Sequence, residues 1–297
     1  MSDTTASLQR KINSAGDLQS VVRTMKAMAA SNIGQYEKAE RALGDYYRSV
    51  ELGLSICFRN GAPKAQIAAG ESRATKRPIG AVVFGSDQGL VGRFNDVVAD
   101  FAVKTLASLP GQPRVWAVGE RVQARMTDTG LPLRGLFSVP NSVKAITPLV
   151  GRILVKCETP DSHGEVTELH LFYNRSTSQG VYAPVSQKLL PLDETWRRRL
   201  ADIPWATGNL PDVVGHGPET VRALIREYLF VSIYRACAES LASENASRLA
   251  AMQRADKNID ELLEDLNGTF RRLRQGGIDE ELFDVTSGFE ALSQSTR

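Results

Sequence analysis

Between Thr5 and Cys57 the chain holds no proline, and its apolar residues recur in steps of three and four. Starting from Leu8, those steps fall on Ile12, Ala15, Gln19, Val22, Lys26, Ala29, Ile33, Tyr36, Glu40, Leu43, Tyr47, Val50, Leu54 and Cys57. All but Gln19, Lys26 and Glu40 are apolar, which is the heptad signature of a helix that pairs with another helix. The remaining faces carry Arg10, Lys11, Arg23, Lys38, Arg41, Asp45 and Arg48. A helix of about 50 residues would be about 75 Å long, too long to form one wall of a compact globule.

The same pattern returns at the other end. Gly217-Pro218-Glu219 is a helix start, with proline at the first position and an acid in the first turn. Val221, Leu224, Ile225, Tyr228, Leu229 and Val231 follow, then Leu249, Met252, Ile259, Leu262, Leu263, Leu266, Phe270 and Leu273. About 70 further residues would span about 105 Å if unbroken. Gly268 and the pair Gly276-Gly277 are expected weak points, each costing about 1 kcal/mol against alanine in a helix interior.

The middle has a different period. Residues 58–78 are polar and rich in Gly, Ala and Lys, and read as a linker. Strands are predicted at Ile79–Phe84, Arg114–Val118, Leu133–Val139, Thr167–Tyr173 and Val185–Leu192, with helices at Phe94–Leu109, Glu120–Asp128 and Ser142–Val155 between them. Alternating strands and helices imply a mostly parallel sheet with helices on its faces. The fold class is therefore α/β: a long antiparallel coiled coil of N- and C-terminal helices with an inserted Rossmann-like domain. The expected divisions are 1–57, 78–205 and 217–297. The longer second helix should leave one end unpartnered.

Composition narrows the function. A net charge of +2 argues against a general nucleic-acid binder, which carries a basic stripe. Cys57, Cys157 and Cys237 are odd in number and widely spaced, which fits a reducing compartment without structural zinc, and His163, His170 and His216 form no ligand cluster. The first ten residues have no signal-peptide core, and no stretch approaches the roughly 18 apolar residues that cross a bilayer. A membrane role is expected only through a partner.

Candidate chemistry is sparse. Gly85 to Gly92 lies between a strand and a helix, where a phosphate loop would sit, but matches neither GxGxxG nor GxxxxGK[ST]. A tight strand-to-helix turn is favoured over nucleotide binding. Asp161, His163 and Glu165 read as a solvated turn. Arg197-Arg198-Arg199 and Arg271-Arg272 read as solvated helix faces. No nucleophile and base stand at a recognisable spacing, so no catalytic residue, metal ligand or cofactor is expected.

Four segments carry a family resemblance. Lys11-Ile12 with RTMKAMAAS at 23–31 resembles "KI…K-AM…VAAS". LASENASRLAAM at 241–252 is similar to "LASE-x-x-ARMxAM", and RQGGIDEEL at 274–282, with Ser287-Gly288, to "RQxxIT-x-EL…SGA". SDQGLVG at 86–92 resembles "SDRGLCGG", with Gln88, Val91 and Arg93 in place of Arg, Cys and Gly. These belong to the gamma subunit of F-type ATP synthases, and the resemblance covers nearly the whole chain. Gly276-Gly277 and Asp279 depart from the family's Ala-Ser and Thr. The departures fit a divergent bacterial branch, whether the housekeeping ATPase or a second, alternative one.

The resemblance implies a non-catalytic rotor shaft standing inside a hexamer of alpha and beta subunits, with the epsilon subunit and the c-subunit ring at its foot. It would couple rotation to ATP synthesis or hydrolysis at the cytoplasmic face of the bacterial plasma membrane, touching the membrane only through the c ring. Implied partner contacts are Met25, Asp87, Gln88, Val91, Arg274, Gln275 and Asp279, with Met25 facing an acidic segment of a beta subunit. Two other readings stay open on the residues alone: a Rossmann-like nucleotide-dependent enzyme with helical extensions, and a coiled-coil structural adaptor.

Overall fold

A computed structural model describes residues 4–59, 77–131, 133–158, 166, 168–177, 182–205, 207–209, 211 and 217–294. The described elements are α1 (Thr5–Arg59), β1 (Arg77–Phe84), α2 (Phe94–Ala107), β2 (Gly111–Val118), α3 (Glu120–Asp128), β3 (Leu133–Phe137), α4 (Val143–Glu158), β4 (Glu168–Arg175), β5 (Ala183–Leu190), α5 (Glu194–Ala201) and α6 (Gly217–Gln294). They form two compact units. One joins the described residues up to Met28 with those from Leu249 onward, and the other runs from Ala29 to Arg248. The two long helices contribute to both.

The heptad stripe of α1 is visible in its burial. Leu8, Ala15, Val22, Ala29, Tyr36, Val50 and Cys57 are buried and stand on a seven-residue spacing, with Leu43 packed at the remaining step. A strict seven-residue repeat keeps one seam facing a partner helix. That partner is α6, and the pairing is antiparallel in each unit. In the unit of the chain ends, Lys26 meets Asp256 while Gln19 reaches on to Asp260. In the larger unit, Asn32 meets Asn245, Arg235 meets Glu40, and the Tyr47 ring lies tilted against Tyr228.

The larger unit also holds a five-stranded sheet of order β3-β2-β1-β4-β5. Strands β3, β2, β1 and β4 are parallel, and β5 joins the edge antiparallel to β4. Alternate residues of β1 serve opposite faces, as a pleated strand requires. Ile79, Ala81 and Val83 pack with α2 and α3, against Val98, Ala102, Val122 and Met126. Val82 and Phe84 join a larger core with α4, α1 and α6, among Ile146, Ile153, Leu54, Ile233 and Cys237. Fully burying each such large side chain contributes about 1.5–3 kcal/mol.

Two expectations change here. Helix α6 runs without a break through Gly268, Gly276 and Gly277. A Cβ on any of the three would meet nothing within 4 Å, so close packing within the chain is not why they are glycine. Arg197 is not on a solvated face: its side chain is 15% exposed, pairs with Glu194 and lies over the Phe58 ring at 5.3 Å. It belongs to α5, an element that carries Trp196 onto Phe58 and Tyr228. The linker expected over 58–78 lies largely outside the described residues, as do Asp161, His163, Glu165 and His216.

Candidate functional site

In a doubly wound sheet, ligands bind beyond the carboxyl ends of the central strands, at the point where the strand order reverses. Here the order reverses between β1 and β4, and the loop after β1 is tied toward β2 and β3. The loop after β1 folds back so that the Asp87 carboxylate accepts from the Glu120 amide at 3.0 Å through one oxygen and from the Val139 amide at 2.9 Å through the other. Asp87 thus caps the N-terminus of α3, a helix end that favours negative charge. Asn95 pins the loop from below. Its Oδ1 accepts from the Ser86 amide and its Nδ2 donates to Ser86 Oγ, both at 2.9 Å. Gly119 has φ of 117°, and a Cβ there would sit 2.7 Å from the Ser86 backbone. The turn after β2 lies directly on the loop after β1.

The expected contact residues of this loop divide. Asp87 is half-buried and both its oxygens are used internally. Val91 is buried, and its carbonyl accepts from Ser247 Oγ of α6 at 2.6 Å. Gln88 is exposed. Leu90 was not singled out from sequence, yet it is 61% exposed and sits at φ 62° in the left-handed region. A non-glycine residue there is uncommon, and no local pattern reveals it.

The LASENASRLAAM segment is largely buried. Ser243, Glu244, Asn245 and Ser247 are all buried, because α6 is enclosed on almost every side over 231–247. Glu244 pairs with Arg248 at 2.7 Å, and burial pushes its carboxyl above the usual range while Arg248 opposes the shift. One turn earlier, Glu239 accepts from Arg175 at 2.5 Å and Arg235 at 2.9 Å, and Arg175 also donates to the Tyr173 hydroxyl. The specificity of this segment in sequence therefore reflects internal packing: a buried polar helix must have each charge answered.

In the unit of the chain ends, Met25 is half-buried against the cluster of Ala15, Val22, Met252 and Ile259. Beside it, Asp256 gathers Gln19, Arg23 and Lys26. This cluster was missed in sequence, although Gln19 and Lys26 stood out as polar breaks in an apolar stripe. Arg274, Gln275 and Asp279 lie on the stretch 271–287 of α6, every residue of which is exposed. Among the described residues no group of three His, Cys, Asp or Glu side chains is placed to hold a metal ion. No described helix is long and apolar enough to cross a membrane.

The fold defines a class: a mixed α/β chain whose first and last helices pair antiparallel and which carries a mostly parallel five-stranded sheet between them. Residues 4–292 match the ATP synthase family model, and the chain belongs to that family. Similar curated proteins are ATP synthase gamma chains. That of Sorangium cellulosum is 26% identical, covering 97% of this chain and 98% of its own. That of a Parafrankia species is 27% identical, covering 96% of each. Among solved structures, a chain of the Euglena gracilis mitochondrial ATP synthase OSCP/F1/c-ring assembly in rotational state 3 superposes with a TM-score of 0.61 at 14% identity, covering 99% of this chain and 96% of that one. A chain from the rotor of the same enzyme in rotational state 1 gives 0.58 at 16% identity, over 92% and 98%. At these identities the structural likeness is one of fold.

Proposed function

We propose that this chain is the central rotor shaft of an F-type ATP synthase, turning inside the alpha–beta hexamer and joined at its foot to the epsilon subunit and the c ring. The observation that carries the reading is the antiparallel pairing of the two end helices in a chain that matches the family from residue 4 to residue 292. An asymmetric shaft in a near-threefold sleeve favours a different state at each catalytic site, and turning it exchanges those states. The shaft itself is non-catalytic in this reading, and the loop after β1 is spent on internal bonds, with Asp87 serving two backbone amides. It works at the cytoplasmic face of the bacterial membrane and reaches the bilayer only through the c ring.

Met25, Asp87, Gln88, Val91, Arg274, Gln275 and Asp279 are the partner contacts in this reading. The exposure of Gln88, Arg274, Gln275 and Asp279 favours direct contact, whereas Asp87 and Val91 act by fixing the loop that presents Gln88. The test is reconstitution with alpha, beta, epsilon and c subunits in vesicles, following ATP hydrolysis and ion pumping together. Pumping should require this chain. A charge-assisted hydrogen bond from Arg274 would contribute about 1.5–3 kcal/mol, so Arg274→Ala should slow hydrolysis or weaken assembly while Arg198→Ala does neither. Met25→Lys should lower ions pumped per ATP more than Met25→Ala. ATP hydrolysis by the purified chain alone, or full pumping without it, would overturn the reading.

A further inference from the structure

In the unit of the chain ends, the apolar seam is thin. Its buried members are Ala15 and Val22 from α1 with Met252 and Ile259 from α6. These residues repeat every seven positions on both helices, and so do their neighbours in the seam: Leu8 and Ala29 on α1, Leu266 on α6. A slip of α1 along α6 by one heptad would again set apolar residue against apolar residue. The apolar seam cannot by itself select one register.

A polar group inside the seam can. Gln19 and Lys26 occupy stripe positions on either side of Val22, and both point to Asp256. Asp256 is 9% exposed; its Oδ1 accepts from Gln19 Nε2 at 3.3 Å and Arg23 Nε at 3.2 Å, and its Oδ2 from Lys26 Nζ at 2.9 Å. Asp260, one turn on, takes a second hydrogen bond from Gln19 and lies 3.7 Å from Arg23. Seven residues to either side of Asp256 stand Leu249 and Leu263. In a slipped pair, Gln19, Arg23 and Lys26 would meet a leucine, and the Asp256 carboxylate would lose its donors in a nearly closed seam.

We propose that Asp256, held by Gln19, Arg23 and Lys26, is the register lock of this helix pair. Its role is to penalise the slipped alternatives that the heptad repeat leaves nearly as good, which is the best-attested use of a buried polar or ionic group between helices. The proposal concerns pairing within the chain and is independent of the shaft reading.

The experiment uses the full chain with one cysteine pair at a time, cross-linked by a short bis-maleimide and read by mass spectrometry of the digest. Val22→Cys with Ile259→Cys reports the native register, and Val22→Cys with Met252→Cys or Leu266→Cys reports a slip of one heptad either way. With Asp256 present, only the native pair should link. In Asp256→Leu, which keeps the seam filled and apolar, a slipped pair should link as well. Exchanging the charges, Asp256→Lys with Lys26→Asp, should restore native-only linking. Native-only linking in Asp256→Leu would overturn the proposal. Loss of all three links in Asp256→Leu would also overturn it, since Asp256 would then hold the helices together rather than choose their register.

Discussion

Glu244 and Asp256 are three turns apart on one helix and should respond to pH with opposite sign. Hydrogen bonds from Lys26 and Arg23 hold the Asp256 carboxyl below the usual range. Its contribution to stability is present above the ordinary carboxylate value of about 3.9 and is lost as pH falls through its lowered folded value. Burial pushes Glu244 the other way. The folded chain then binds this proton more tightly than the unfolded one, so stability falls as pH rises from about 4.3 through the raised folded value. In thermal unfolding across a pH series, the deficit of Asp256→Asn against the parent chain should close as pH drops below about 3.9. Glu244→Gln should gain on the parent as pH rises above about 4.3. Parallel behaviour of the two variants would refute the assignment of opposite signs.

At the scale of elements, α5 carries the clearest prediction. Its start is fixed by Asp193, whose carboxylate accepts from the Trp196 amide at 2.8 Å. Its inner face then sets Trp196 edge-to-face with Phe58 at the end of α1 and lays Arg197 over the same ring. A cation over a ring away from water contributes about 0.5–2 kcal/mol. Arg197→Ala should therefore lower the unfolding midpoint, while Arg198→Ala, at a side chain 77% exposed, should leave it unchanged. Equal effects would remove Arg197 from the packing. The sequence pattern showed three consecutive arginines and nothing to separate them, because the ring that selects Arg197 lies some 140 residues earlier. The α1 stripe was legible for the opposite reason. A seven-residue period is a local property, and so are the alternation of strands with helices and the glycine-marked turn after β1. What fills that turn was not legible, since Asp87 binds amides 33 and 52 residues away.

For the whole molecule, the far end of α6 sets behaviour in solution. Ile278, Leu282, Phe283 and Val285 are 54%, 63%, 71% and 70% exposed. An apolar run left in water promotes association. The isolated chain should self-associate in sedimentation velocity, and Leu282→Gln with Phe283→Gln should shift it toward monomer. A strictly monomeric parent chain would show that this stretch is not adhesive. The seam between Gln19 and Asp256 has a different consequence, one of timing. Its two sides are 237 residues apart in the chain. At a synthesis rate of about 5–20 residues per second, α1 leaves the ribosome roughly 10–50 s before the residue it needs. Throughout that interval the first part of its stripe, from Leu8 to Lys26, waits for its partner, while the strands of the sheet emerge and can pair. Gln19 and Lys26 break the run of apolar residues that a waiting helix would otherwise offer to any passing chain. The same two side chains that meet Asp256 at the end of synthesis make α1 less adhesive until it arrives.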